Sequence, residues 1–220
     1  PNVAQVYEIP DAVKKKLISM KPRDINDLNI MARYRREKKR EDNKLSLFPH
    51  QQEAVEAWLD NGKSLLFEMC TSAGKTRTAI GCMMRLVAYH ERFVAIVSTP
   101  QSTLTKQWQS DMEKLNISLD AEVFADGSNS KKWSQIELML MDVQDKKIRC
   151  GIIYTTHDTS SNPKFLKILQ DNSHGIKYLF IGDEVHATGS TKRKLGLLDC
   201  YNYRIGLSAT PERMFDEAGT

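Results

Sequence analysis

The sequence predicts an α/β fold with a central, mostly parallel sheet, and three observations carry that prediction. Largely apolar runs at Ser64–Met69, Phe93–Ser98, Cys150–Tyr154, Tyr178–Gly182 and Tyr203–Leu207 read as buried strands, as expected where helices cover both faces of a sheet. Between several of them lie segments with apolar residues three and four apart, so strands alternate with helices. Small, hydroxyl-bearing or acidic residues follow several strands directly, at the tips where an open α/β sheet places its ligands.

In chain order, residues 1–45 form a basic N-terminal extension or linker. Gln51–Leu59 reads as a helix, Ser64–Met69 as a strand, and Thr76 to about Tyr89 as a helix. Phe93–Ser98 is a buried strand ending at Thr99-Pro100. Its following helix carries Leu104, Trp108, Met112 and Leu115 on one face, read as core. Ala121–Phe124 is a short strand, Lys132–Met141 a helix, and Cys150–Tyr154 a strand leading to Thr155-Thr156-His157. His157 reads as a surface or capping residue without a role. Residues 125–130 and 160–163 are loop signals, and there is no internal repeat.

The 220 residues, 40% of them apolar, suit one large domain plus an extension. No run approaches the roughly 18 consecutive apolar residues of a membrane span, and the N-terminus shows no secretory signal. Cys70, Cys82, Cys150 and Cys200 are scattered without a C-x-x-C pair, so zinc and disulfides are not indicated; a soluble, cytoplasmic protein with no membrane partner is expected. Residues 11–45 hold 12 Lys/Arg against 6 Asp/Glu, a net of +6, while the whole chain is +4, leaving −2 elsewhere. The run from Arg33 to Arg40 could contact nucleic-acid phosphates. Its interspersed acids favour a solvated helix or linker instead.

Cys70-Thr71-Ser72-Ala73-Gly74-Lys75-Thr76 stands between a strand and a helix. There, backbone N–H groups and one lysine can cradle a nucleotide's phosphates. Lys75 would reach the β- and γ-phosphates, and the Thr76 hydroxyl would take one position on Mg²⁺. Met69 stands where such loops usually begin with glycine. After the strand Tyr178–Gly182 come Asp183-Glu184-Val185-His186. Asp183, at the tip of a strand neighbouring the phosphate-loop strand, is the candidate second metal ligand, and Glu184 the candidate to polarise the attacking water. Tyr203–Leu207 leads into Ser208-Ala209-Thr210-Pro211, small hydroxyl residues able to bond a neighbouring acid or histidine.

Gly-Lys-Thr, Asp-Glu-Val-His and Ser-Ala-Thr, in this order, resemble motifs I, II and III of superfamily 2 helicases and translocases of the DExH type. Leu47–Ala54 is similar to that family's L-R-x-Y-Q-x-E-A element, and Thr99-Pro100-Gln101 through Gln107-Trp108 to its motif Ia. The resemblance implies a RecA-like P-loop NTPase domain over 46–215, with 216–220 starting a linker to a second RecA-like domain. It also implies ATP and Mg²⁺ as cofactors. Gln51 would recognise adenine, while Thr71, Ser72, Ala73, Gly74, Lys75 and Thr76 would hold the phosphates. Thr76 and Asp183 would hold the metal, Lys75, Asp183 and Glu184 would be catalytic, and His186, Ser208 and Thr210 would couple nucleotide state to nucleic-acid binding. Phe48 replaces the arginine of many relatives. The Asp-Glu-Val-His and Gln-Trp variants look closer to the XPB, UvsW and restriction-translocase branches than to the DEAD-box branch, so DNA is favoured over RNA.

Nucleic acid is expected across the loops after Ser98 and Tyr154, with Thr99, Gln101 and Ser102 as first candidates and Thr155 and Thr156 behind them. Ser102 or Thr103 could instead cap the following helix. The family hydrolyses ATP between two RecA-like domains, the second supplying arginine fingers. The chain is therefore expected to be a piece of a longer protein that, alone, binds ATP weakly and turns it over very slowly. Three function classes are carried forward: the motor domain of a DNA helicase or translocase, the same motor on RNA, and a nucleotide-controlled nucleic-acid-binding or assembly module that does not translocate.

Overall fold

The structure, a computed structural model, describes residues 45–69, 73–127, 129–184 and 199–208. The chain divides at Lys44/Leu45, and all of the described residues belong to the second unit. The basic extension therefore lies outside them. Twelve elements follow in order: α1 (Pro49–Asp60), β1 (Ser64–Glu68), α2 (Lys75–Tyr89), β2 (Phe93–Thr99), α3 (Ser102–Lys114), β3 (Ala121–Ala125), α4 (Lys132–Gln144), β4 (Cys150–Thr156), α5 (His157–Ser160), α6 (Pro163–Asp171), β5 (Lys177–Gly182) and β6 (Tyr201–Ser208).

The six strands form one sheet in the order β1-β6-β5-β2-β4-β3, and every pairing is parallel. Each strand's C-terminus therefore points to the same edge. The predicted α/β architecture is thus present, with a sheet that is wholly parallel among the described residues. All seven residues of β2 are buried, because alternate side chains enter two separate cores. Ala95 and Val97 pack with Trp58, Ile80, Met83, Trp108 and Met112 beneath α1, α2 and α3. Val94 and Ile96 pack with Ile136, Leu140, Phe165 and Leu169 beneath α4 and α6. A run apolar on both faces is what such a two-sided position requires.

Three local expectations change. Residues 160–163, read as loop, close the short helix α5 and open α6, where the Asn162 side chain accepts the Lys164 N–H and Pro163 takes the first helical position. Proline is tolerated there because that N–H has no helical partner. His157 is buried rather than on the surface. Neither Ser102 nor Thr103 caps α3: its N-cap is Gln101, without a side-chain bond, and the Thr99 hydroxyl donates to the Gln101 carbonyl at 2.8 Å.

Candidate nucleotide site

Gly74 begins the site because it adopts φ 85° just before α2, a left-handed conformation that glycine reaches without a Cβ penalty. A second reason is space: a Cβ built on Gly74 would lie 2.2 Å from Gln51 Nε2. Gln51, only 1% exposed, bridges the first helix and the phosphate loop. Its Oε1 accepts the Phe48 N–H at 3.0 Å, and its Nε2 donates to the Ala73 carbonyl at 3.1 Å. His50 Nε2 lies 3.2 Å from the same carbonyl oxygen. Phe48 is exposed, with the Arg77 guanidinium 6.0 Å from its ring.

Lys75 and Thr76 form the first turn of α2, where unpaired backbone N–H groups and the helix dipole favour an anion. From there Lys75 Nζ reaches to 3.7 Å of Glu184 Oε1, so the loop lysine and the second acid meet across the strand tips. The first acid stands beyond a strand the sequence did not order: β6 lies between β1 and β5. Asp183 therefore follows a strand that does not neighbour the phosphate-loop strand. Ser208, buried at the end of β6, occupies the intervening tip and accepts the Met69 N–H through its carbonyl at 3.2 Å.

Asp183 is held at both ends. Its N–H donates to the Ser98 carbonyl at 2.8 Å, and its Oδ2 accepts the Trp108 indole N–H, also at 2.8 Å. Burial pushes its carboxyl up, as does the neighbouring Glu184 charge, while the Trp108 N–H and the Lys75 ammonium work the other way. Glu184 has φ 53°. A left-handed non-glycine residue is uncommon and here turns the second carboxylate away from the strand direction and toward Lys75. The Trp108 bond was invisible in sequence, since helical spacing marked the residue only as core. No signal short of the fold could have found it.

The nucleic-acid candidates separate by exposure. Gln101 and Ser102 are exposed at the tip of β2. Thr99 and Thr155 are fully buried, and the Thr155 hydroxyl donates to the Ala125 carbonyl at 3.1 Å. The Thr156 hydroxyl caps α5 by accepting the Thr159 N–H. Ser98, His157 and Ser160 form a buried cluster between these tips, with Ser98 Oγ 2.8 Å from His157 Nδ1 and 2.9 Å from Ser160 Oγ. Thr71, Ser72, His186 and Thr210 lie outside the described residues.

The family model described as "Type III restriction enzyme, res subunit" (ResIII) matches residues 44–213. The chain belongs to the ResIII family. This ResIII domain is of the superfamily 2 helicase type, with a RecA-like fold. Among solved structures it is similar to a nuclease-deletion mutant of the Type ISP restriction-modification enzyme LlaGI in complex with a DNA substrate mimic, with a TM-score of 0.56, 16% identity, and 78% of this chain and 19% of that one covered. It is also similar to the UvsW helicase from bacteriophage T4 (0.53, 20%, covering 74% and 52%). The Sulfolobus solfataricus SWI2/SNF2 ATPase core in complex with dsDNA is a third (0.54, 22%, covering 76% and 32%). At these identities the likeness shows the fold, and the chain spans between about a fifth and about half of the lengths of these structures. No curated protein matches. Among the described residues, no helix is long and apolar enough to cross a membrane.

Proposed function

We propose that this ResIII domain is the ATP-binding motor domain of a DNA helicase or translocase, coupling ATP hydrolysis to movement on DNA or its remodelling. The observation that carries the reading is the 3.7 Å approach of Lys75 to Glu184 over the sheet's C-terminal edge. It puts a phosphate-binding ammonium and a water-polarising carboxylate within one triphosphate's reach. Lys75 then draws in the γ-phosphate and leaves Glu184 to accept the proton of the attacking water. Gln51, once released from Ala73, reads the adenine edge.

The donor set fits Mg²⁺ arriving with the nucleotide. That ion is commonly held by one or two carboxylates plus substrate phosphates. Among the described residues no three His, Cys, Asp or Glu side chains gather as a resident cage. Thr76 and Asp183 would hold the ion, which when bound offsets charge on the phosphate oxygens. Ser208, with His186 and Thr210, would report nucleotide state to the track.

We propose DNA as the track because two of the similar structures contain DNA or its mimic. Exposed Gln101 and Ser102 make the first phosphate contacts, with Thr99, Thr155 and Thr156 supporting the tips from beneath. A second RecA-like domain would supply the arginine fingers, residues 216–220 would lead toward it, and a cytoplasmic location follows from the same reading. Hydrolysis by the longest natural form of the protein, compared with duplex DNA, single strands and RNA, is the test. Stimulation by RNA alone would reassign the track, and nucleotide binding without stimulated turnover would favour a switch module.

A further inference from the structure

Trp108 connects two places that the proposed function uses separately. It lies six residues into α3, about 9 Å along the axis from Ser102 at a rise of 1.5 Å per residue. That N-terminus carries the exposed Gln101 and Ser102. Its indole is 2% exposed, fixed in the core with Met112, and its N–H is spent on Asp183 Oδ2. The Asp183 main chain is meanwhile bound to Ser98 of β2, the strand that runs into α3. The carboxylate is therefore fastened by backbone and side chain to one unit, β2 with α3. An indole N–H is a donor only, so it can orient Asp183 without competing as a metal ligand. Phenylalanine would keep an aromatic ring in the core but leave a half-buried carboxylate oxygen without this donor.

We infer that Trp108 is a positioning residue that fixes the Asp183 carboxylate for the metal and carries occupancy of the α3 N-terminus by DNA to that carboxylate. The inference rests on the motor reading above. A shift of α3 when phosphates engage Gln101 and Ser102 moves Trp108 and, through one hydrogen bond, the ligand oxygens. Track binding and metal affinity then become linked quantities, each changing the other by the same factor.

The test uses Mn²⁺ as probe, with ADP, followed by electron paramagnetic resonance on the longest natural form of the protein, with and without duplex DNA. Trp108→Phe should weaken Mn²⁺ binding about 10- to 100-fold, the range for loss of an outer-shell partner, and should abolish the change that DNA produces in the wild type. Replacing Trp108 with benzothienylalanine, which keeps the ring shape and removes the N–H, should give the same result and guards against a folding defect in the phenylalanine variant. Wild-type Mn²⁺ affinity and DNA response in both variants would overturn the inference. If the wild type and Asp183→Asn alike fail to hold Mn²⁺ with ADP, the metal assignment in the motor reading has itself failed, and the inference falls with it.

Discussion

At Gly74 a single hydrogen in place of a side chain lets the backbone enter α2 in a left-handed turn against Gln51. Gly74→Ala must place a Cβ 2.2 Å from Gln51 Nε2 at φ 85°, and the left-handed backbone alone costs about 1–2 kcal/mol. Denaturant unfolding of Gly74→Ala, Gln51→Ala and the double variant should show the glycine change costing less when Gln51 is already shortened, since the clash is then removed. Lys75 and Glu184 divide their roles differently. Lys75→Ala should weaken nucleotide binding, seen in a fluorescent-nucleotide titration, whereas Glu184→Gln should keep binding and lower turnover about 10²- to 10⁴-fold, the usual worth of a general base. The meeting of Lys75 with Glu184 was legible because each closely follows a largely apolar strand and so stands at the same edge of a parallel sheet. Gln51's grip on Ala73 and the Trp108–Asp183 bond were not, because each joins residues far apart in sequence through a contact that no local pattern encodes.

Among the elements, β4 is anchored at its start by Asp120, whose carboxylate accepts the N–H groups of Arg149 at 2.7 Å and Cys150 at 3.0 Å. Burial alone would raise this carboxyl, but those two N–H groups, with the Cys150 thiol and the Arg149 charge, hold it below its ordinary 3.8. A depressed folded-state value means stability that is present above the unfolded value and lost as pH falls through the folded one. Because Asp120 is exposed and solvent screens its interactions, Asp120→Ala should cost at most about 1 kcal/mol near neutrality, and the gap to wild type should close below pH 3.8 in acid-unfolding curves. Asn162→Ala, which removes the cap of α6, should cost about 1 kcal/mol, read by thermal unfolding. Elements with buried strands were plain in sequence because the middles of β2 (93–97), β4 (151–154) and β5 (178–181) are apolar on both faces. α6 is less plain although Phe165, Ile168 and Leu169 sit at helical spacing: Ser160-Ser161-Asn162-Pro163 reads as loop, yet Asn-Pro also spells an N-cap followed by the first helical residue.

For the molecule as a whole, the strand order was the part that sequence did not disclose. Insertion of β6 between β1 and β5 depends on its pairing with β1, between residues more than a hundred positions apart such as Phe67 with Leu207. It places the Ser208 tip between the strand that precedes the phosphate loop and the strand that leads to Asp183 and Glu184. On the motor reading, residues 1–220 alone should hydrolyse ATP about 10³- to 10⁵-fold more slowly than a form supplied with arginine fingers, measured as steady-state turnover of the two side by side. On the same reading, one site, built from Lys75, Asp183 and Glu184, hydrolyses ATP under the control of DNA. The most direct measurement is ATP turnover by the longest natural form of the protein, with and without duplex DNA, beside Lys75→Ala and Glu184→Gln. Turnover should rise with DNA and be lost in both variants; turnover that ignores DNA, or that survives either substitution, would rule out a DNA-controlled ATPase at this site.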